Sequence, residues 1–305
     1  MTTAETIRVL LFVTVVVTVY FYALKTLIGL VGGAVKPSWK THVPLGVAVV
    51  GLLCMLYGRF VEPYWLSVTH VSVASPKIPR GLRLRIAHIS DVHSDPAARL
   101  EERLPAAIAA EQPDLIVFTG DSVNSPEGLP VFKGLLQKLS ATAPTFVVKG
   151  NWDTSYWNDL ALFDRTGVVE LNGTGRVLEL RGIKVGIAGL AAGSEKHLAR
   201  SLSGIPADAF SVFLYHYPDL IKEISARNVD LYCAGHTHGG QVALPGYGAL
   251  VTFSKFGKQY ESGLYREGRT SLYVNRGVGL EGGYAPRVRF WARPELTIID
   301  VVPES

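Results

Sequence analysis

The chain has 305 residues, 48% of them apolar, with two cysteines and a formal net charge of +4. That length buries a full core in one or two domains. Two cysteines exclude a disulfide framework, and the modest charge, with no nucleic-acid motif, internal repeat or low-complexity tract, excludes nucleic acid as the expected partner.

The apolar excess sits at the amino end. From Val9 to Val35 the only charged side chain is Lys25. Such a run crosses a hydrocarbon core of about 30 Å as a helix, with Lys25 snorkelling or facing a partner helix. A polar break over 36–42 leads to a second apolar run, Val43 to Tyr57. No A-x-A-like exit follows the first run, so the pair predicts a transmembrane hairpin over 1–58 rather than a signal peptide. Arg8, Arg59, Lys77 and Arg80 flank the hairpin on one side, against Lys36 and Lys40 in its loop. This bias predicts a multi-pass cell-membrane protein, bilayer-bound, with its large domain on the cytoplasmic side.

Residues 59–81 read as a connector, in which Tyr64 and Trp65 suit an interface and W-L-S-V-T-H-V-S-V alternates like a strand. A domain over 82–305 follows. Five short strand-like runs punctuate it: L-R-L-R-I-A-H-I-S-D, D-L-I-V-F-T-G-D, T-F-V-V-K-G-N-W-D, F-S-V-F-L-Y-H and V-D-L-Y-C-A-G-H. A-R-L-E-E-R-L-P-A-A-I-A-A-E and Y-P-D-L-I-K-E-I-S-A-R read as helices, and R-V-L-E-L-R-G-I-K-V-G-I-A-G-L as a hairpin turning at Arg181-Gly182. The text becomes β-rich again after Gly239. These alternations predict an α/β domain with a largely buried sheet.

Each of the five runs stops at a polar cluster. The clusters are Asp91-Val92-His93, Gly120-Asp121, Gly150-Asn151-Trp152-Asp153, His216 and Gly235-His236-Thr237-His238. Ligands in open α/β sheets bind beyond the carboxyl ends of strands, so these clusters are expected to share one crevice. Singly, a D-x-H or G-D is ordinary turn chemistry, and a lone histidine is usually a core residue. Together they offer two aspartates, one amide oxygen and four imidazoles, more than one ion needs and suited to two divalent ions sharing a carboxylate.

The order D-x-H, G-D, G-N-x-[DE], H, G-H-x-H resembles the calcineurin-like metallophosphoesterases, over roughly 82–305. G-H-T-H-G-G-Q (235–241), S-L-Y-V-N-R-G-V-G-L (271–280) and R-P-E-L (293–296) are similar to a membrane-anchored bacterial branch. That branch includes phosphodiesterases and UDP-2,3-diacylglucosamine pyrophosphatases. The resemblance implies a four-layer α/β/β/α sandwich. It also implies that Asp91, His93, Asp121 and His238 hold one ion, and Asp121, Asn151, His216 and His236 the other, with Asp121 bridging. The ions would be Mn2+ foremost, with Fe or Zn as alternatives. A bridging hydroxide would attack phosphorus in a phosphate-containing, lipid-linked or small-molecule substrate, and no catalytic side chain is assigned beyond the ligands. His42, His70, His88 and His197 have no counterpart in the family pattern.

Trp152 departs from that pattern. The family usually has a histidine there, held to protonate the leaving oxygen or stabilise the transition state. An indole N–H donates but does not transfer a proton. Three readings are open: a packing residue in an ordinary broad-specificity phosphodiesterase or phosphatase; a substrate-binding surface for a substrate whose leaving group needs no proton; or a non-catalytic, metal-binding membrane scaffold. The hairpin favours the second, as a phosphoanhydride or phosphodiester in a lipid-linked substrate such as UDP-2,3-diacylglucosamine. Tyr156, Trp157, Phe253, Phe256 and Trp291 could then flank acyl chains. Arg276, inside N-R-G-V-G, is expected to bind substrate phosphate, with Arg287, Arg289 and Arg293 either assisting or forming a solvated basic face.

Overall fold

The computed structural model describes residues 2–282 and 286–304. Two helices open the chain, α1 (Thr3–Val31) and α2 (Trp39–Phe60). They pair as a hairpin, with the Tyr20 hydroxyl donating to the Ala48 carbonyl at 3.1 Å. Both are long and apolar enough to cross a membrane, and their apolar flanks are almost entirely uncovered by the rest of the molecule.

In chain order there follow β1 (Ser67–Ser75), β2 (Leu84–Ile89), α3 (Leu104–Ala110), β3 (Leu115–Phe118), α4 (Leu129–Thr142), β4 (Thr145–Val147), α5 (Asn151–Ser155) and β5 (Val169–Glu170). The second half holds β6 (Thr174–Leu180), β7 (Ile183–Gly189), α6 (Leu198–Leu202), β8 (Phe210–Leu214), α7 (Ile221–Ser225), β9 (Leu231–Ala234), β10 (Ala243–Leu244), β11 (Gly248–Ala249), β12 (Gly263–Glu267), β13 (Thr270–Val274) and β14 (Glu295–Pro303). Two six-stranded sheets result, ordered β1-β14-β2-β3-β4-β5 and β12-β13-β9-β8-β7-β6. The β6–β7 hairpin turns at Arg181-Gly182, both in the left-handed region that a two-residue turn of matching twist requires.

Alternation along the strands sorts their side chains into three cores. Ile86, Val117, Phe146, Val185, Val212 and Cys233 fill the space between the sheets. Ala87, Ile89, Ile116 and Phe118 pack outward against α3 and α4, where Phe132, Leu135 and Leu139 meet them. Phe213, Tyr232 and Leu272 do the same under Leu198, Ile221 and Ile224 of α6 and α7. Three cores between four layers make the α/β/β/α sandwich. Each fully buried Val, Leu, Ile or Phe contributes about 1.5–3 kcal/mol relative to exposure.

Two helices are shorter than the sequence pattern predicts. α3 begins only at Leu104 because Pro105 is accommodated in a helix's first turn, not in its middle. Pro218 likewise confines its neighbours to a 3-10 turn before α7 begins at Ile221. The connector strand β1 pairs in parallel with β14 across its whole length, Ser67 opposite Glu295 through Ser75 opposite Pro303.

Candidate metal centre

β2, β3 and β4 of the first sheet and β8 and β9 of the second all run with their carboxyl ends towards one place. Their parallel pairings set this direction. Immediately after those strands the backbone turns sharply. Asp91 (φ 49°), His93 (φ 44°), Asp121 (φ 61°), His236 (φ 71°) and His238 (φ 52°) all occupy the left-handed region. Non-glycine residues go there rarely, and such strain gathers at functional sites. Two glycines make the close approach possible. A Cβ on Gly150 would lie 2.2 Å from Asp121 Oδ1, and one on Gly235 would lie 2.3 Å from Asp91 Oδ2.

The side chains converge as two overlapping donor groups, Asp91–His93–His238 and Asp91–Asp121–His216, the atoms of each within 4.8 Å of one another. His238 Nε2 lies 3.3 Å from Asp91 Oδ1, and His216 Nε2 lies 3.3 Å from Asp121 Oδ2. Asp121 Oδ2 is also 3.5 Å from His93 Nε2, so it stands between the two histidines. Asn151 Oδ1 reaches His216 Nε2 at 2.9 Å. His216 Nδ1 faces the Thr119 carbonyl at 2.7 Å, which places the proton on Nδ1 and turns Nε2 inward. His236 takes part differently. Its backbone N–H donates to the Asp91 carboxylate at 3.1 Å, while its ring meets those of His216 and Tyr217 edge-on, with centroids 5.0 and 4.4 Å away.

The electrostatics fit cations. Burial works against ionising Asp91, yet His238, His216 and His93 outweigh it and hold this carboxyl well below the usual range. Asp121 is pushed up by burial against the pull of His216. Burial opposes charge on His216 too, but Asp121 and Asp91 raise it to about 9. Burial, with repulsion from His238, keeps His93 neutral, and neither of its ring nitrogens has a hydrogen-bond partner among the described residues. A buried imidazole with two idle nitrogens beside two buried carboxylates is a donor set that could hold a metal ion.

Trp152 belongs to the same cluster. Its backbone N–H donates to Asp121 Oδ1 at 2.8 Å, and its half-buried indole stands edge-on to His93, with ring centroids 5.3 Å apart. Tyr156 continues the aromatic surface at 5.1 Å and is 66% exposed. The Arg276 side chain packs against Gly239, next to His238. Its guanidinium pairs with buried Glu295 at 3.1 Å and lines a cavity of about 320 Å³ together with Gly239 and Trp291. The other arginines also divide. Arg289 is wholly buried and donates to the carbonyls of Arg276, Gly277, Gly279 and Ala292. Arg287 pairs with Asp95, and Arg293 lies over the Trp65 ring at 4.6 Å. Of the flanking aromatics, Trp157 donates to the Val123 carbonyl and Phe256 packs on the outer core, whereas Phe253 and Trp291 are exposed.

Asp153, in the G-N-x-[DE] cluster but given no role from the sequence, proves to be a structural tie. This buried carboxylate accepts the backbone N–H groups of Asp121, Ser122 and Gly150, each at 2.9 Å, and so ties the β3 and β4 turns together. Burial, with Asp121 nearby, raises its pKa to about 6. Its place three residues after Gly150 at a helix start is the signal that could have found it. Asp153→Asn exchanges one acceptor oxygen for a donor, leaving a buried N–H unpaired. Metal-free protein carrying it is expected to lose about 1–3 kcal/mol of stability, read as a lower thermal midpoint. An unchanged midpoint would contradict the role.

Residues 84–240 match the family described as calcineurin-like phosphoesterase. The chain belongs to that family. As a calcineurin-like phosphoesterase it is a hydrolase, and its relatives carry consistent names. The metallophosphoesterase YkuE of Bacillus subtilis is 34% identical, covering 79% of this chain and 87% of its own. The phosphodiesterase YaeI of Escherichia coli is 28% identical over 81% of this chain and 92% of its own. The UDP-2,3-diacylglucosamine pyrophosphatase LpxG of Chlamydia trachomatis is 26% identical over 81% and 93%. The solved structure of TT1561 from Thermus thermophilus covers 65% of this chain and 91% of that one at 15% identity, with a TM-score of 0.45.

Proposed function

We propose that this calcineurin-like phosphoesterase hydrolyses a phosphoanhydride or phosphodiester in a lipid-linked substrate of the UDP-2,3-diacylglucosamine class. Two divalent ions, Mn2+ foremost, serve as its cofactors. The observation that carries this reading is the convergence of Asp91, His93, Asp121, Asn151, His216 and His238 from five strand ends. Asp91, His93, Asp121 and His238 would hold one ion, and Asp121, Asn151, His216 and His236 would hold the other. Bound there, such a pair supplies a water acidic enough to ionise near neutral pH and neutralises charge on the phosphoryl oxygens.

The chain's own residues do the rest. The Trp152 N–H engages Asp121 Oδ1, leaving Oδ2 for the shared position. The Thr119 carbonyl orients His216, and Asp153 locks the turns that carry Asp121 and Asn151. The Trp152 indole covers the His93 side of the site without transferring a proton. That suits a leaving group that is already a stable anion. The hairpin α1–α2 spans the bilayer in this reading, with the catalytic domain on the cytoplasmic side, and keeps the enzyme beside an acylated substrate.

The test is hydrolysis by purified full-length protein with Mn2+. Cleavage of UDP-2,3-diacylglucosamine at its anhydride, faster than cleavage of bis(p-nitrophenyl) phosphate, is expected. Turnover of the aryl diester alone favours a second reading, a phosphodiesterase like the E. coli relative. Turnover of neither overturns both.

A further inference from the structure

Both domain-side ends of the hairpin are fastened to loops that flank the metal centre. Glu5, in the first turn of α1, uses one carboxylate oxygen to accept the Thr2 N–H and the other to accept the Thr252 N–H and hydroxyl, at 2.9 and 3.1 Å. Glu62, just past α2, accepts the N–H groups of Trp291 and Ala292 at 2.9 and 2.6 Å. These carboxylates are 1% and 0% exposed. Gly58 of α2 also accepts the Arg289 N–H at 2.9 Å. The Arg289 side chain in turn holds the carbonyls of Gly277 and Gly279, whose segment backs Asp91 through the Gly279 N–H.

Next to each clamp is an exposed aromatic in an unusual backbone state. Phe253 follows Thr252 at φ 55°, and Trp291 sits at φ 58°. They are 47% and 64% exposed. Bulky residues in the left-handed region are true outliers, kept only where the surroundings enforce them. Here each lies beside or on a backbone N–H that a helix-end carboxylate holds, and both rings are exposed. The Phe253 ring lies 6.4 Å from that of the site histidine His236. Phe60, Tyr64 and Trp65 add exposed aromatic surface at the same end of the hairpin, with Arg59 over Phe60 and Arg293 over Trp65. Rings and arginines gathered at the end of apolar helices are the composition of a membrane interface. α2 alone, at about 1.5 Å per residue, covers a hydrocarbon core of about 30 Å, so both anchored ends reach the headgroup layer.

We propose that the metal centre opens on the bilayer surface, with Phe253 and Trp291 seated among the headgroups, so that substrate is taken from the membrane as an amphiphile rather than from solution. This rests on the phosphoesterase reading of the site and adds to it the side from which substrate arrives. The occupant of the aromatic surface is the phospholipid bilayer. It is the one partner that the attached helices already bring into register with it.

The test uses full-length protein in phosphatidylcholine vesicles whose lipids carry bromine either high on the acyl chains or nowhere. Tryptophan emission assigned to Trp291, as the difference between wild type and Trp291→Phe, is expected to be lost in the brominated vesicles and retained in the others. A Phe253→Trp variant is expected to add emission that is quenched in the same way. Equal difference emission in both vesicles, at both positions, would overturn the proposal. Hydrolysis of soluble bis(p-nitrophenyl) phosphate is measured in parallel. Quenching with no hydrolysis of either this diester or UDP-2,3-diacylglucosamine would sink the phosphoesterase reading while leaving the interface in place.

Discussion

Asp121→Ala is expected to abolish hydrolysis and to lower the metal content of the purified protein. Its Oδ2 lies between His93 and His216, at 3.5 and 3.3 Å, beside one histidine from each of the two proposed ion positions. Losing a mere supporting partner of a metal ligand typically lowers affinity or activity about 10–100-fold, and the shared ligand is expected to exceed that range. The fold should survive. Asp121 carries a buried charge opposed by burial itself, and the turn before it rests on Gly120 at φ 100° rather than on the carboxylate. Metal analysis and kcat/KM on the same preparation check this. A fully active Asp121→Ala protein would remove the assignment.

Trp152→His is expected to raise hydrolysis of alkyl phosphodiesters selectively, by up to about 10²-fold, the lower end of what a positioned general acid supplies. An imidazole there would stand beside His93, where the indole now sits with ring centroids 5.3 Å apart. The wild type should depend steeply on leaving-group pKa, turning over pyrophosphates and activated diesters well and alkyl esters hardly at all. Trp152→Ala should instead weaken binding of the preferred substrate, because it removes apolar area continuous with Tyr156. The measurement is a set of kcat/KM values for the three proteins over leaving groups of graded pKa. A flat dependence in the wild type would mean that another group delivers the proton and that the indole only packs.

What could be read from the sequence was the part set by local chemistry. The five strand ends were legible because each apolar run stops at a polar side chain, three of them just after a glycine, and the fold brings such ends together. The β6–β7 turn was legible for the same reason, since Arg181-Gly182 closes a two-residue loop. Distant partners were not. β1 pairs with β14 more than two hundred residues away, and nothing in W-L-S-V-T-H-V-S-V names its neighbour. Arg289 reads as a surface charge, yet it is buried, with the carbonyls of Arg276, Gly277, Gly279 and Ala292 converging on it. Arg276 reads as a phosphate ligand, and its pairing with buried Glu295 was not legible. Glu5 and Glu62 look like helix-end acids, and their contacts to Thr252, Trp291 and Ala292 become visible only when both ends of the hairpin meet the domain.

The most direct test of the central claim is a titration of metal-free protein with Mn2+, following bound metal and hydrolysis of bis(p-nitrophenyl) phosphate in the same samples. Two ions per chain, with activity appearing as the pair is completed, is the expected result. Full activity in the metal-free protein, or a single ion per chain at saturating activity, would contradict it.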